Sequence, residues 1–183
     1  MNLISSTFGA LFLLLGCALA QSQPFEFSEA SADTWQGKNA ASKEILAYVV
    51  EFRSSQYKLF SNDFYFKSEG VAPGEVETFE VKASEPGHVL WVQFADGSEW
   101  GDRRSDLLTH RKTLTHLASE MMNAYSHGGE KEFLAYLEAN KGVDGFVQHV
   151  WRMKDQDGTE SAIDNLRNRL ASAAKHDKML AGQ

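Results

Sequence analysis

The chain has 183 residues, of which 43% are hydrophobic and 23% are charged, and this is the composition of an ordinary globular protein. It excludes collagen-like, low-complexity and wholly disordered chains, because those classes need skewed Gly, Pro or charge content. The 18 Lys and Arg against 25 Asp and Glu give a net charge of −7, and since an acidic protein repels a phosphate backbone, we expect no nucleic-acid partner.

The first segment, residues 1–20, predicts a secretory signal peptide. It contains no charged side chain, residues 10–15 are an apolar run, and Ala18-Leu19-Ala20 supplies small residues at a cleavage site. The apolar stretch is shorter than the roughly 20 residues that a membrane-spanning helix needs. We therefore expect export to a secreted or periplasmic location with cleavage after Ala20, with an uncleaved N-terminal anchor as the alternative.

Cys17 is the only cysteine, and it lies inside this first segment. Leu14-Leu15-Gly16-Cys17 resembles a bacterial lipobox, in which the cysteine is lipidated and becomes the first mature residue. A lipid-anchored protein of the cell envelope is therefore the alternative to a free mature chain, and only in that case do we expect a membrane contact. No disulfide can form within the chain, so its stability must come from a packed core.

Residues 21–102 are predicted to form a β-sandwich domain. Apolar or alternating runs cover residues 25–27, 45–52, 64–66, 76–81 and 88–95, and turn signals lie at 37–39, 72–74, 85–87 and 96–97. Short strands with turns at this spacing are typical of an antiparallel sandwich or barrel. Asp96-Gly97 is a strong hairpin signal and predicts a type I′ turn.

Residues 103–183 are predicted to be a helical region. From Ser105, the inward positions of a helix recur at spacings of three and four, which indicates an amphipathic helix. Ser105 or Asp102 is expected to cap it. The inward positions are Leu107, His110, Leu114, Leu117, Met121 and Ala124. Gly128-Gly129 ends it, and three further helices are expected over residues 130–140, around 146–151 and around 163–173. The apolar face of the first helix is long enough to pair with another copy, or to be buried within the chain.

The fold class that follows is α+β, an antiparallel immunoglobulin-like β-sandwich followed by a C-terminal helical region. Charge divides at the same place, because residues 21–102 carry 14 acidic and 6 basic side chains, whereas residues 103–183 carry 11 and 12. This asymmetry permits the helices to dock on the sandwich or on an acidic partner, but two solvated faces are the simpler interpretation.

Three short motifs within residues 25–102 carry a family resemblance. They are Asn39-Ala40-Ala41-Ser42-Lys43, Ala72-Pro73-Gly74, and Val92-Gln93-Phe94-Ala95-Asp96-Gly97-Ser98-Glu99-Trp100-Gly101-Asp102. In this order they resemble uncharacterised secreted bacterial proteins, of acidobacterial type, that have an immunoglobulin-like sandwich. The resemblance implies the fold and carries no catalytic residue, because its motifs are an Asn-containing turn, a Pro-Gly turn and a hairpin.

The hairpin is the candidate binding site. Asp96, Glu99 and Asp102 bring carboxylates together around its tip, and a cation such as calcium takes oxygen ligands of this kind. The competing interpretation, which we prefer, is that Asp96 shapes the turn and Asp102 caps the next helix, so no metal is expected. Trp100 is the aromatic residue best suited to an exposed contact with a protein or a glycan, although packing at the core or rim is the simpler interpretation.

The six histidines form no metal motif, and His110 is expected to be partly buried and hydrogen-bonded because it falls on the inward stripe. No nucleophile motif or nucleotide-binding loop occurs, and no cofactor is expected. The sequence therefore favours an exported, non-catalytic binding or interaction protein with an unknown protein or glycan partner, and possible self-association through the helices. The alternative is an extracytoplasmic hydrolase with a site between the sandwich and the helices.

Overall fold

The computed structural model describes residues 22–53, 58–67, 69–102 and 104–182. Seven strands are followed by helices. The strands are β1 (Phe25–Ser31), β2 (Thr34–Asn39), β3 (Ile45–Phe52), β4 (Lys58–Asp63), β5 (Val76–Glu80), β6 (His88–Phe94) and β7 (Glu99–Gly101). The helices are α1 (Ser105–Asn140), α2 (Gly145–Asp157) and α3 (Thr159–Leu180). The predicted succession of a sheet region and a helical region is confirmed.

The strands form two antiparallel sheets. The first has the order β1-β2-β5 and the second has the order β4-β3-β6-β7. Alternate side chains of β3 pack in the core between the sheets, where Leu46, Tyr48, Val50 and Phe52 share one face as their spacing predicts. Aromatic side chains fill much of this core; Phe79, for example, lies 5.3 Å from Phe52 and 5.8 Å from Tyr48 between ring centroids.

β3 is buried on both faces, unlike a strand with one side in solvent. The outer-facing Ala47 and Val49 form a small apolar cluster with Trp91 of β6, and Leu107 of α1 packs against it. The outer face of the second sheet is therefore covered by the beginning of α1. This contact explains why Ala47 and Val49 are buried although they face away from the central core.

The helices have a core of their own. Met121, Phe133, Leu137, Val150 and Leu166 are each fully buried there, and together they come from α1, α2 and α3. The apolar face of α1 is thus packed within the chain. The predicted interruption at Gly128-Gly129 is also present, because both residues leave helical geometry and Gly129 has φ +65°, which glycine adopts without strain.

Three local predictions were wrong. Residues 64–66 form no strand, because β4 ends at Asp63 and the chain turns directly after it. The hairpin after β6 is not a type I′ turn, because positive φ occurs at Gly97 (84°) and at no non-glycine residue that the structure describes. Hydrogen bonds from Gly97 N to Phe94 O and from Phe94 N to Ser98 O instead enclose a three-residue loop ending in a glycine bulge. The N-terminus of α1 also lacks the expected cap, since Arg104 precedes it with no side-chain capping bond.

Candidate functional site

A buried arginine connects the first helix to the second sheet. Arg111 of α1 is 4% exposed. Its Nε donates to Asp63 Oδ2 at 2.7 Å, and its Nη1 donates to Gln93 Oε1. A buried guanidinium needs such partners, because an isolated charge is costly to remove from water.

The register of the sheet explains this geometry. Ala47 of β3 is paired with Asp63 of β4 on one side and with Gln93 of β6 on the other, so the three residues form one row across neighbouring strands. The central residue of the row has only a methyl side chain. We infer that this leaves the space in which the Arg111 guanidinium reaches the polar side chains at both ends.

Tyr65, which follows β4, extends this contact to the last helix. The Arg111 guanidinium lies over the Tyr65 ring at 4.9 Å from its centroid. The Tyr65 hydroxyl donates to Asp177 Oδ1 of α3 at 2.6 Å. Burial, and then the hydrogen bond to Asp177, raise the pKa of Tyr65 well above its usual range, so its phenol stays protonated at neutral pH.

His176, next to Asp177, is fully buried. Its Nδ1 lies 2.9 Å from the Tyr65 carbonyl oxygen, and because a carbonyl only accepts, Nδ1 must carry the proton. Its Nε2 has no hydrogen-bond partner. His176 thus joins α3 to the segment after β4, and polar and aromatic side chains connect the sandwich and the helices in addition to the apolar contacts of Leu107 and Ala173.

A cleft of about 810 Å³ lies beside this junction. Its walls are formed by the first three turns of α1, the end of α3, and the residues of the sheet that contact them. The lining residues are Tyr65, Gln93, Ser105, Leu108, Thr109, Arg111, Lys112, Thr115, His116, Asp177 and Leu180. This volume is within the range of small-molecule sites in proteins.

Two buried polar atoms of the residues that line the cleft have no hydrogen-bond partner within the described part of the chain. One is Arg111 Nη2 and the other is Thr115 Oγ1. The Thr115 hydroxyl faces that of Tyr65 but makes no hydrogen bond of normal geometry with it. Native proteins seldom leave buried donors unsatisfied, so these atoms mark the chemically distinctive part of the cleft.

The predicted hairpin residues are placed in structural roles. Asp96 forms an ion pair with Lys43 at 2.6 Å and accepts from Ser98 N at 3.0 Å. The hydrogen bonds from Lys43 and Ser98 lower the pKa of Asp96 to about 2. Glu99 accepts a hydrogen bond from the Trp91 indole at 3.2 Å. The carboxylates of the hairpin are therefore engaged in holding the hairpin and its neighbours.

Trp100 and Asp102 do not join these carboxylates in a site. Trp100 is half-buried and packs against the core of the sandwich, as the simpler interpretation has it. Asp102 is exposed, and its backbone N–H donates to Leu90 O at 3.1 Å. In the described parts of the chain, no group of three or more His, Cys, Asp or Glu side chains is arranged to hold a metal ion.

The three sequence motifs meet in space. The Asn39 side chain donates from Nδ2 to Val71 O at 2.8 Å and to Lys43 O at 2.9 Å, and its Oδ1 accepts from Ala41 N. Gly74 N, in the Pro-Gly turn, donates to Asn39 O. Lys43 then reaches the hairpin through Asp96. These motifs hold one end of the sandwich together, which is a structural role.

The sequence missed Arg111 and placed His110 wrongly. His110 is exposed, and Arg111 takes the inward position beside it. The inward stripe of α1 was assigned from apolar residues at spacings of three and four. Because arginine is not apolar, this criterion could not identify a buried arginine. A usable signal was that Arg111, Leu114, Ala118 and Met121 also follow spacings of three and four.

Comparisons with known proteins give no match for this chain, whether against family models, curated proteins or solved structures. Among residues 22–182, as far as the structure describes them, no helix is both long enough and apolar enough to cross a membrane. The predicted signal segment 1–20 and the lipidation candidate Cys17 lie outside the described residues.

Proposed function

We propose that the chain is an exported, non-catalytic binding protein whose ligand site is the cleft between the second sheet and helices α1 and α3. The observation that carries this proposal is the cleft of about 810 Å³ with Arg111 and Thr115 in its lining, each with a buried polar atom that has no partner. Concave sites of this size with a few converging polar groups are typical of small-molecule binding.

The proposed contact therefore differs from the one that the sequence suggests. The Asp96 and Glu99 carboxylates already have protein partners, and Trp100 is half-buried, so this surface offers little to a glycan or a protein. The cleft offers hydroxyl groups, two cationic side chains and apolar Leu108 and Leu180. A small molecule is thus a better fit to the site than an extended partner surface.

A hydrolase with a site in the same cleft is the second candidate, because the junction is concave and contains His116 and Asp177. Binding is preferred because a hydrolytic site needs a nucleophile activated by an adjacent base. Among the described residues His116 makes no hydrogen bond, and the raised pKa of Tyr65 makes its phenol a poor nucleophile.

The immunoglobulin-like character of the sandwich is part of the proposal. The sheet order supports it, since β2 and β5 are neighbours in one sheet while β3, β6 and β7 lie together in the other, as the corresponding strands of immunoglobulin domains do. β4 lies beside β3 rather than at the edge of the first sheet. Such domains serve many functions, so the fold does not itself identify the ligand.

Export is proposed from the sequence of residues 1–20, with lipidation at Cys17 as the alternative. Both proposals, cleavage after Ala20 and lipidation of Cys17, are tested by mass spectrometry of the N-terminus of the protein expressed in and purified from a bacterial host. A chain beginning at Gln21 supports cleavage after Ala20, an acylated Cys17 supports the lipoprotein, and an intact Met1 contradicts both kinds of processing and leaves the uncleaved anchor.

The ligand site is tested by filling the cleft. Thr109 is exposed and lines the cleft, whereas Thr113 is exposed on the same helix and lies outside its lining. We expect that a library of small polar molecules, screened by the NMR shifts of the ¹⁵N-labelled protein, gives binders that perturb residues 105–116. Thr109→Trp should abolish these perturbations and Thr113→Trp should preserve them. Binders that map elsewhere, or that bind both variants equally, contradict the proposal.

A further inference from the structure

We propose that the cleft recognises a small molecule through a single carboxylate group, which Arg111 and Thr115 bind at its floor. This inference rests on the proposed function and adds the chemical class of the ligand. It begins with Arg111 Nη2, a donor in a side chain that is 4% exposed and whose other two nitrogens already have acceptors on the sheet.

The two unpartnered atoms suit an oxyanion because both can donate. A guanidinium nitrogen donates only, and a threonine hydroxyl rotates to donate to whatever acceptor is nearby. Hydrogen bonds from a charged donor to a carboxylate are about twice as strong as those between neutral groups. An acceptor with two oxygens can engage both atoms, whereas a ligand that brings a donor to the floor leaves them unsatisfied.

The charges around the floor favour one negative charge over two. Arg111 and Lys112 contribute two cations, but Asp63 is paired with Arg111 and Asp177 lies on the wall formed by α3. These four side chains have no net charge together. A monocarboxylate therefore meets less repulsion from the Asp63 and Asp177 carboxylates than a dianion such as phosphate does.

The same arrangement fixes how the ligand lies. Both unpartnered atoms are buried, so a carboxylate must displace neighbouring side chains to reach them and becomes largely desolvated. Leu108 and Leu180 provide the apolar part of the lining, and Thr109, Lys112 and His116 are exposed side chains along α1. The carboxylate is expected at the floor with the body of the ligand towards the leucines.

The test uses sodium propionate, its uncharged analogue propionamide, and inorganic phosphate as probes, each titrated into the ¹⁵N-labelled protein at constant ionic strength. We expect propionate to bind about tenfold more tightly than propionamide, because one charge-assisted hydrogen bond corresponds to about this ratio. Phosphate is expected to bind more weakly than propionate. All shifts caused by propionate should map to residues 105–116 and 177–180.

Thr115→Val separates binding from folding. Because Thr115 Oγ1 makes no hydrogen bond of normal geometry with the described residues, replacing the hydroxyl with a methyl group should leave the unfolding midpoint unchanged or raise it, while weakening propionate about tenfold. The matched control is Thr113→Val, an exposed threonine of the same helix outside the cleft, which should leave propionate binding unchanged.

Each other outcome contradicts a defined part of the inference. Equal binding of propionate and propionamide overturns recognition of the charge but leaves a ligand cleft, and tighter binding of phosphate overturns the preference for a single charge. If propionate binds and Thr115→Val does not weaken it, the assignment of Thr115 is wrong. If none of the probes shifts the cleft residues while other small molecules do in the library screen, the ligand class is wrong and the proposed function stands.

Discussion

Replacing Asp63 with asparagine tests whether the Arg111 contact holds the helices to the sandwich. Asp63→Asn keeps the shape of the side chain and an oxygen that can accept from Tyr65 N, which donates to Asp63 Oδ1 at 3.0 Å. It removes the negative charge that faces the Arg111 guanidinium at 2.7 Å, and while the amide oxygen accepts from Tyr65 N the amide nitrogen cannot accept from Arg111 Nε. The side chain of Arg111 is 5% exposed and that of Asp63 is 19% exposed, so the charge left behind cannot be well solvated.

Removing one partner of a buried ion pair typically costs 3–5 kcal/mol. Because Asp63 retains some access to water and the amide can still accept a hydrogen bond, we expect the lower end, a loss of about 3 kcal/mol in the free energy of unfolding. With a urea m-value of roughly 2 kcal/mol per molar for a domain of this size, the unfolding midpoint should fall by about 1.5 M. The m-value itself should not change if unfolding stays two-state.

The matched control is Asp164→Asn, which removes the carboxylate of an exposed ion pair with Arg167 at 2.8 Å. Exposed pairs contribute about 0.5 kcal/mol or less, so the urea midpoint of this variant should stay within about 0.3 M of the parent. If Asp63→Asn is no more destabilising than Asp164→Asn, the Arg111–Asp63 ion pair does not hold the helices to the sandwich.

Two further predictions concern the end of the sandwich where the three motifs meet. Asn39→Ala removes the side chain that donates to Val71 O and Lys43 O and accepts from Ala41 N. The free energy of unfolding, measured by urea titration, should therefore fall by about 3 kcal/mol. A loss below about 1 kcal/mol would show that these hydrogen bonds contribute little to stability. The carboxyl of Asp96 should titrate by NMR with a pKa of about 2, and Lys43→Met should raise it towards 3.8. Because the pKa of Asp96 is lower in the folded state, its contribution to stability is present above about pH 4 and disappears as the pH falls to about 2, whereas Asp96→Asn should lack this acid-dependent part.

The order of the elements was predictable because it depends on the spacing of apolar residues alone. Leu46, Tyr48 and Val50 alternate as a strand must, and the change of spacing after Asp102 marks the start of α1. The break at Gly128-Gly129 was predictable for a similar local reason, since two adjacent glycines cannot continue a helix as well as other residues. These features need no knowledge of which elements touch.

The cleft was not predictable in detail, because it depends on contacts between distant segments. Arg111 is 48 residues from Asp63, and Tyr65 is 112 residues from Asp177. A charged residue on a helix is normally assigned to solvent, and only the row formed by Asp63, Ala47 and Gln93 shows why Arg111 is buried. The junction was anticipated as the location of a possible pocket, but the residues in it were not.

The most direct test of the binding account is the NMR signal of the Arg111 side chain in protein labelled with ¹⁵N-arginine. If the carboxylate binds at Arg111, the Nε–H resonance of Arg111 should shift saturably as propionate is added. The chemical shift of Arg167, which is half-exposed on α3, should not change. An Arg111 resonance that does not move, or guanidinium resonances that all move alike, would contradict a ligand site at the floor of the cleft.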